Sequence, residues 1–243
     1  MKLAAKISRT IRTQGLFNTL GIIMSQLMDY VFDLRYGTDT VMWKELKDLD
    51  IESPNKLHGN LYQGSKTGPL RKMFRLVRPM LGEDAVCLDY GSGKGKVLLI
   101  GSEFDFKALR GVEFSGELCD IARQNIKKYF NGQARNVEGE GKSGKIPAIE
   151  IYHEDAAEYE VQPEENLFFF FNPFSAEIFQ QVMANVEKSL KQHPRTACVI
   201  YENPEHGETI KAVGFELHSE HKVWGNPYAI FRFNKPQDTE TGA

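Results

Sequence analysis

The sequence predicts an α/β protein with a mostly parallel central sheet, and three observations predict it. From Asp84 onward, short apolar runs alternate with segments of helical periodicity, the pattern of strands joined by crossover helices. One run, Leu167-Phe168-Phe169-Phe170-Phe171, is apolar at every position, as a strand covered on both faces requires. The third observation is local. Val86-Cys87-Leu88-Asp89-Tyr90 leads into Gly91-Ser92-Gly93-Lys94-Gly95-Lys96, and a later apolar run, Ala108-Leu109-Arg110-Gly111-Val112, ends at Glu113. Strand, glycine turn, helix and a second strand closed by an acid form a βαβ unit suited to a nucleoside.

The elements follow in order. Up to about residue 80 the chain predicts helical segments separated by loops. The first runs through Phe32, the second covers roughly 40–49 and the third 70–81. A Pro-, Gly- and Ser-rich stretch, 53–69, separates the last two. Strand one is 85–90, followed by a helix over 96–104. Strand two is 108–114, and an amphipathic helix over 116–129 carries Leu118, Ile121, Ala122, Ile126 and Tyr129. Residues 131–145 are Gly-rich, charged and poor in apolar side chains, which predicts a long loop. Strand three is 148–152 and strand four 166–171. A helix over 175–191 starts at Ser175 as N-cap. Strand five is 197–201, with a short helix after His206. A final strand pair covers 215–221 and 228–233, joined by a loop containing Gly225-Asn226-Pro227. The organisation is a helical extension (1–80), a ligand-binding domain (81–234) and a tail (235–243) without core-forming residues.

Composition narrows the class. The 243 residues are 41% hydrophobic and 26% charged, with a net charge of -3, as in a soluble globular protein. This balance argues against a general nucleic-acid binder. The three cysteines, Cys87, Cys119 and Cys198, are scattered. Cys87 and Cys198 sit in apolar strand-like runs and predict buried thiols, and the set as a whole favours a reducing, cytoplasmic setting rather than a disulfide framework. The segment Leu16 to Phe32 is apolar mostly at helical spacing, with polar residues between. It reads as a helix packed on the domain, or as a basic amphipathic helix resting on a membrane or a partner.

Glycine spacing selects the ligand class. A dinucleotide site has G-x-G-x-x-G, but here the pattern is G-x-G-x-G, with Lys96 in place of the third dinucleotide glycine. A P-loop needs an earlier glycine and a Ser or Thr after Gly-Lys; this chain has Tyr90 and Val97. The run resembles the first motif of the class I S-adenosylmethionine-dependent methyltransferases, an acid-x-G-x-G-x-G turn. The resemblance covers about 150 residues (84–233) and extends to bacterial methyltransferase-like proteins of unassigned substrate. It implies a Rossmann-like seven-stranded methyltransferase sheet, mostly parallel with a terminal antiparallel strand. It also implies S-adenosylmethionine as cofactor and S-adenosylhomocysteine as product, with no metal.

The same resemblance assigns residues. Asp89, Gly91, Ser92, Gly93 and Gly95 would form the cofactor turn, and Glu113 with Phe114 would meet the ribose side. After strand three, Asp155-Ala156 matches the family's adenine-recognition pair, with Glu154 as the alternative acid. At the end of strand four, Asn172-Pro173-Phe174 looks like a shortened Asn/Asp-Pro-Pro-aromatic motif of nitrogen-directed enzymes. There Asn172 and Pro173 would accept hydrogen bonds from the acceptor nitrogen, and Phe174 would pack against it. Asn172 also borders the cofactor. Tyr62 to Pro69 resembles a segment of some lysine-directed enzymes, which carries Tyr62 and Thr67 over as cofactor contacts.

These readings imply methyl transfer to a nitrogen, with a protein lysine as one candidate acceptor. Oxygen or carbon methylation of a small molecule, or cofactor binding without catalysis, are the alternatives. Asp39, Glu202 and His206 are further candidate groups at the carboxyl edge. Lys94 and Lys96 could meet the cofactor carboxylate but read first as solvated lysines at a helix start, and Trp43 and Trp224 read as packing residues rather than substrate platforms. His218 and His221, placed on a strand, would point to opposite faces, which argues against a metal pair.

Overall fold

The computed structural model describes residues 12, 15–41, 64–134, 147–171 and 174–235. Helix α1 (Leu16–Tyr36) and helix α2 (Thr67–Val77) precede a short 3-10 turn (Arg78–Met80). The remainder alternates: β1 (Val86–Tyr90), α3 (Lys96–Gly101), β2 (Ala108–Glu113), α4 (Gly116–Ala134) and β3 (Ala148–His153). It continues with β4 (Glu165–Phe171), α5 (Ala176–Gln192), β5 (Ala197–Glu202), α6 (Gly207–Ala212), β6 (Glu216–Val223) and β7 (Asn226–Phe233). The seven strands form one sheet of order β3-β2-β1-β4-β5-β7-β6. The first five are parallel, and β7 pairs antiparallel with both β5 and β6.

The phenylalanine run shows how the sheet is covered. Leu167 and Phe169 face one apolar cluster, with Phe74, Leu98, Leu109 and Ile200. Phe168 and Phe170 face the other, with Tyr90, Phe179, Val182 and Tyr201. The period-2 alternation of β4 therefore fills two cores at once, as a central strand must. Helices α1 and α2 share the first cluster through Phe32, Leu70, Met73, Phe74 and Val77. The Tyr36 and Tyr129 rings lie 4.4 Å apart, so α1 also packs on α4. The extension is thus bonded into the core on one face of the sheet.

Boundaries differ from expectation in five places. Helix α2 spans Thr67–Val77 rather than 70–81, and the 3-10 turn takes Arg78–Met80. Helix α1 runs one turn further, to Tyr36, and stops where Gly37 takes φ 67 and donates its N–H to Asp33. Helix α3 ends at Gly101 rather than 104; a Cβ there would lie 2.9 Å from Leu109 Cδ2, so the glycine allows a close helix–strand approach. Helix α4 continues to Ala134, beyond the predicted 129. The last hairpin turns on Trp224-Gly225, both at positive φ (50 and 87), with Val223 opposite Asn226. Asn226 and Pro227 therefore belong to β7, and the connection is a two-residue turn. Trp224 packs as expected: its indole lies against Gly21 of α1 and Gly68 of α2, where any Cβ would meet the ring. Most of the predicted helix over 40–49, Trp43, most of the 131–145 loop, and the tail from 236 lie outside the described residues.

Candidate active site

The glycine turn lies at the carboxyl end of β1, the central strand from which the order runs outward both ways through β2 and β4. In open α/β sheets ligands bind at such a switch point. Gly91, Gly93 and Gly95 have φ of 73, 51 and 80, a region that disfavours any side chain. The Val112 carbonyl accepts from Gly91 N–H at 2.9 Å and from Ser92 N–H at 3.0 Å, tying the turn to β2. Gly111, directly before it, cannot carry a side chain. A Cβ would lie 2.6 Å from Ser92. Gly95 has a packing role as well, because a Cβ there would lie 3.2 Å from Ala122 of α4.

Glu113 closes the turn. One carboxylate oxygen accepts from Gly93 N–H at 2.9 Å and the other from Ser115 N–H at 2.9 Å. The side chain is buried, and burial pushes its pKa up to about 7 despite these bonds. Asp89, also buried, is raised well above the carboxylate range, first by burial and then by the carboxylates of Glu113 and Glu202. Its Oδ2 has no hydrogen-bond partner among the described residues, and neither has Ser92 Oγ. Glu202, at the carboxyl end of β5, is pushed up to about 7 by burial, with Ser65 and Tyr228 opposing the shift. Phe114 is half-buried, and its carbonyl lies 3.2 Å from His153 Nε2. Asp155 shapes its own turn: its Oδ1 accepts from Ala157 N–H at 3.0 Å, and Ala156 is buried beside it.

Raised carboxyl pKa values carry a sign. A group protonated in the fold up to about pH 7, but only to about 4.5 when unfolded, binds the extra proton between those values. Stability is then full below pH 4.5 and falls as pH rises through 7. For Glu113 and Glu202 this is at most about 3 kcal/mol each. Urea midpoints of the ligand-free protein should therefore be higher at pH 5 than at pH 8. A flat profile across that window would mean that water reaches both carboxyls.

Lys94 and Lys96 are corrected by the structure. Neither is a solvated helix-start lysine; both are buried. Lys94 Nζ lies 2.8 Å from Asp39 Oδ1. Asn125 of α4 joins the two segments, accepting from Asp39 N–H and donating to the carbonyls of Asp39 and Lys94. Lys96 Nζ lies 2.7 Å from Asp29 Oδ1 on α1. The same oxygen accepts from the N–H and hydroxyl of Thr67 at 2.9 and 2.7 Å, and Lys66 Nζ is 3.2 Å from Oδ2. Thr67, expected at the cofactor, thus donates its hydroxyl to Asp29. Asp29 and Asn125 were not singled out by sequence. The signal available was helical phase, since Asp29 shares the α1 face of Ser25 and Phe32.

Of the remaining candidates, Phe174 is half-buried with its ring 6.3 Å from Phe179. His206 packs 5.4 Å from the same ring. Tyr62, Asn172 and Pro173 lie outside the described residues. His218 and His221 lie on β6, and His221 Nε2 is 2.9 Å from Ser219 Oγ. Among the described residues no group of three or more His, Cys, Asp or Glu is placed to hold a metal.

Solved structures share the fold. N-methyltransferase NodS from Bradyrhizobium japonicum WM9 superposes with a TM-score of 0.51 at 11% identity, over 69% of this chain and 96% of that one. This is the class I methyltransferase fold. The methyltransferase domain of bacterial CtHen1-C matches that fold with a TM-score of 0.50 at 12% identity, over 69% of this chain and 98% of the other. No protein-family model matches the sequence, and no curated protein matches it. The Rossmann-like seven-stranded methyltransferase sheet, with β7 as its antiparallel insertion, is as the sequence implied.

Proposed function

We propose that the chain is an S-adenosylmethionine-dependent methyltransferase acting on a nitrogen acceptor, with a protein lysine as one candidate. The observation that carries this reading is the closed turn: three glycines at positive φ, bonded through Gly93 N–H to the buried carboxylate of Glu113. The residues present fit the cofactor. Glu113 keeps lone pairs for a ribose diol, since each carboxylate oxygen can accept more than one bond. The orphaned Asp89 Oδ2 and Ser92 Oγ need polar partners, and the cofactor's ammonium and hydroxyl groups would supply them. Asp155-Ala156 would meet the adenine. When bound, the cofactor's sulfonium supplies an electrophilic methyl carbon. The chain's part is to orient the acceptor and exclude water. Asn172 and Pro173 would hold the acceptor nitrogen, and Phe174 would wall it. Three free buried cysteines accord with a cytoplasmic setting.

Calorimetry with S-adenosylhomocysteine and with NAD tests the ligand, and labelled S-adenosylmethionine in a cell lysate identifies the acceptor atom. Glu113→Gln should weaken S-adenosylhomocysteine binding by about 10- to 100-fold. It places an amide against the Gly93 and Ser115 N–H groups and removes a charged acceptor. Binding to the wild type should strengthen as pH rises through 7, when Glu113 ionises. Equal affinity in a folded variant would end the role of Glu113, and tighter NAD binding would end the reading itself.

A further inference from the structure

Helix α1 carries an apolar stripe that is left exposed among the described residues. Leu16, Leu20, Ile23, Leu27, Tyr30 and Leu34 recur at alternating spacings of four and three, which sets them in one line along the helix. All are exposed, from 43% at Ile23 to 85% at Leu34. Met24 and Val31, also exposed, widen the stripe to roughly a third of the circumference. The opposite face, with Ser25, Asp29 and Phe32, is buried against the domain. A continuous apolar surface of this kind marks an interaction site.

Charge identifies the occupant. Residues 1–28 contain Lys2, Lys6, Arg9 and Arg12 and no Asp or Glu, although the whole chain has a net charge of -3. The first acid, Asp29, is already held by Lys96 and Lys66. A second copy on the stripe would add the same cations with no acids to answer them. An anionic lipid surface supplies both the apolar phase and the counter-charge. Among the described residues no helix is long and apolar enough to cross a membrane, so α1 would lie along the interface. We propose that α1 docks the protein on anionic phospholipid, its leucine stripe buried in the interface and the preceding cations drawing it to the headgroups. This does not depend on the cofactor or on any activity.

Vesicle sedimentation of the full chain tests it. With phosphatidylcholine and phosphatidylglycerol at roughly three to one, the protein should pellet. With phosphatidylcholine alone, binding should fall at least about tenfold, because each cation near an anionic surface is worth about fivefold. Leu27→Glu and Leu34→Glu should each weaken binding by at least about tenfold while leaving the thermal midpoint unchanged, since both side chains are exposed. Absence of pelleting on the mixed vesicles would overturn the proposal, as would binding by both variants at the wild-type level. A concentration-dependent dimer in vesicle-free buffer, dissolved by Leu27→Glu, would also overturn it and assign the stripe to a second copy.

Discussion

In the Asp29→Ala variant, urea unfolding should lose about 3–5 kcal/mol, the cost of leaving one member of a buried ion pair alone. Asp29 and Lys96 are both buried, and their 2.7 Å contact is what makes the lysine's charge tolerable there. Burial lowers the pKa of Lys96, and Asp29 offsets only part of that shift. Asp29 itself is held below its ordinary value: burial opposes this, and Lys96 and Thr67 outweigh it. A depressed carboxylate contributes above its unfolded pKa of about 3.9, and the contribution is lost on acidification below that. The double variant Asp29→Ala, Lys96→Met should recover much of the loss, because it removes the stranded charge. A single-variant loss under about 1 kcal/mol would show that Asp33 or water compensates. Since Lys96 directly follows the glycine turn, the single variant should also weaken S-adenosylhomocysteine binding, which calorimetry would read.

Asn172→Ala should lower turnover by about 100- to 1000-fold while cofactor affinity changes little. On the proposed reading, the Asn172 side-chain oxygen bonds the acceptor nitrogen as the reacting atoms align, so the loss falls on kcat more than on binding. Single-turnover kinetics with the acceptor found in the lysate, together with calorimetry, separate the two. Turnover within about threefold of wild type would reduce Asn172-Pro173-Phe174 to a strand terminator. Methyl groups found only on oxygen or carbon would remove the nitrogen acceptor and leave methyl transfer standing.

The candidate site divides in the same way between what is local and what is not. The turn was legible because its chemistry is written in consecutive residues: glycines that reach positive φ, and an acid at the end of the next strand. Parallel pairing places Asp89 opposite Gly111 and so brings Glu113 level with the turn. The supports of the turn were not legible. Asp29 and Lys96 are 67 residues apart, and Asn125 reaches Asp39 across 86. Their lysines look like any polar residues at a helix start. The membrane or partner alternative for α1 depended on the same missing knowledge, namely which face the domain covers.

The sequence by itself determined the strand and helix order, the two-sided burial of β4 and the position of the glycine turn. Each follows from periodicity or from backbone freedom, properties of neighbours along the chain. Only the tertiary structure decided that Lys94 and Lys96 are buried, that Thr67 donates to Asp29 and that the leucine face of α1 stays exposed. Those outcomes depend on which segments meet in space. Desolvation, which makes a lone charge costly and a paired one tolerable, acts only after they have met.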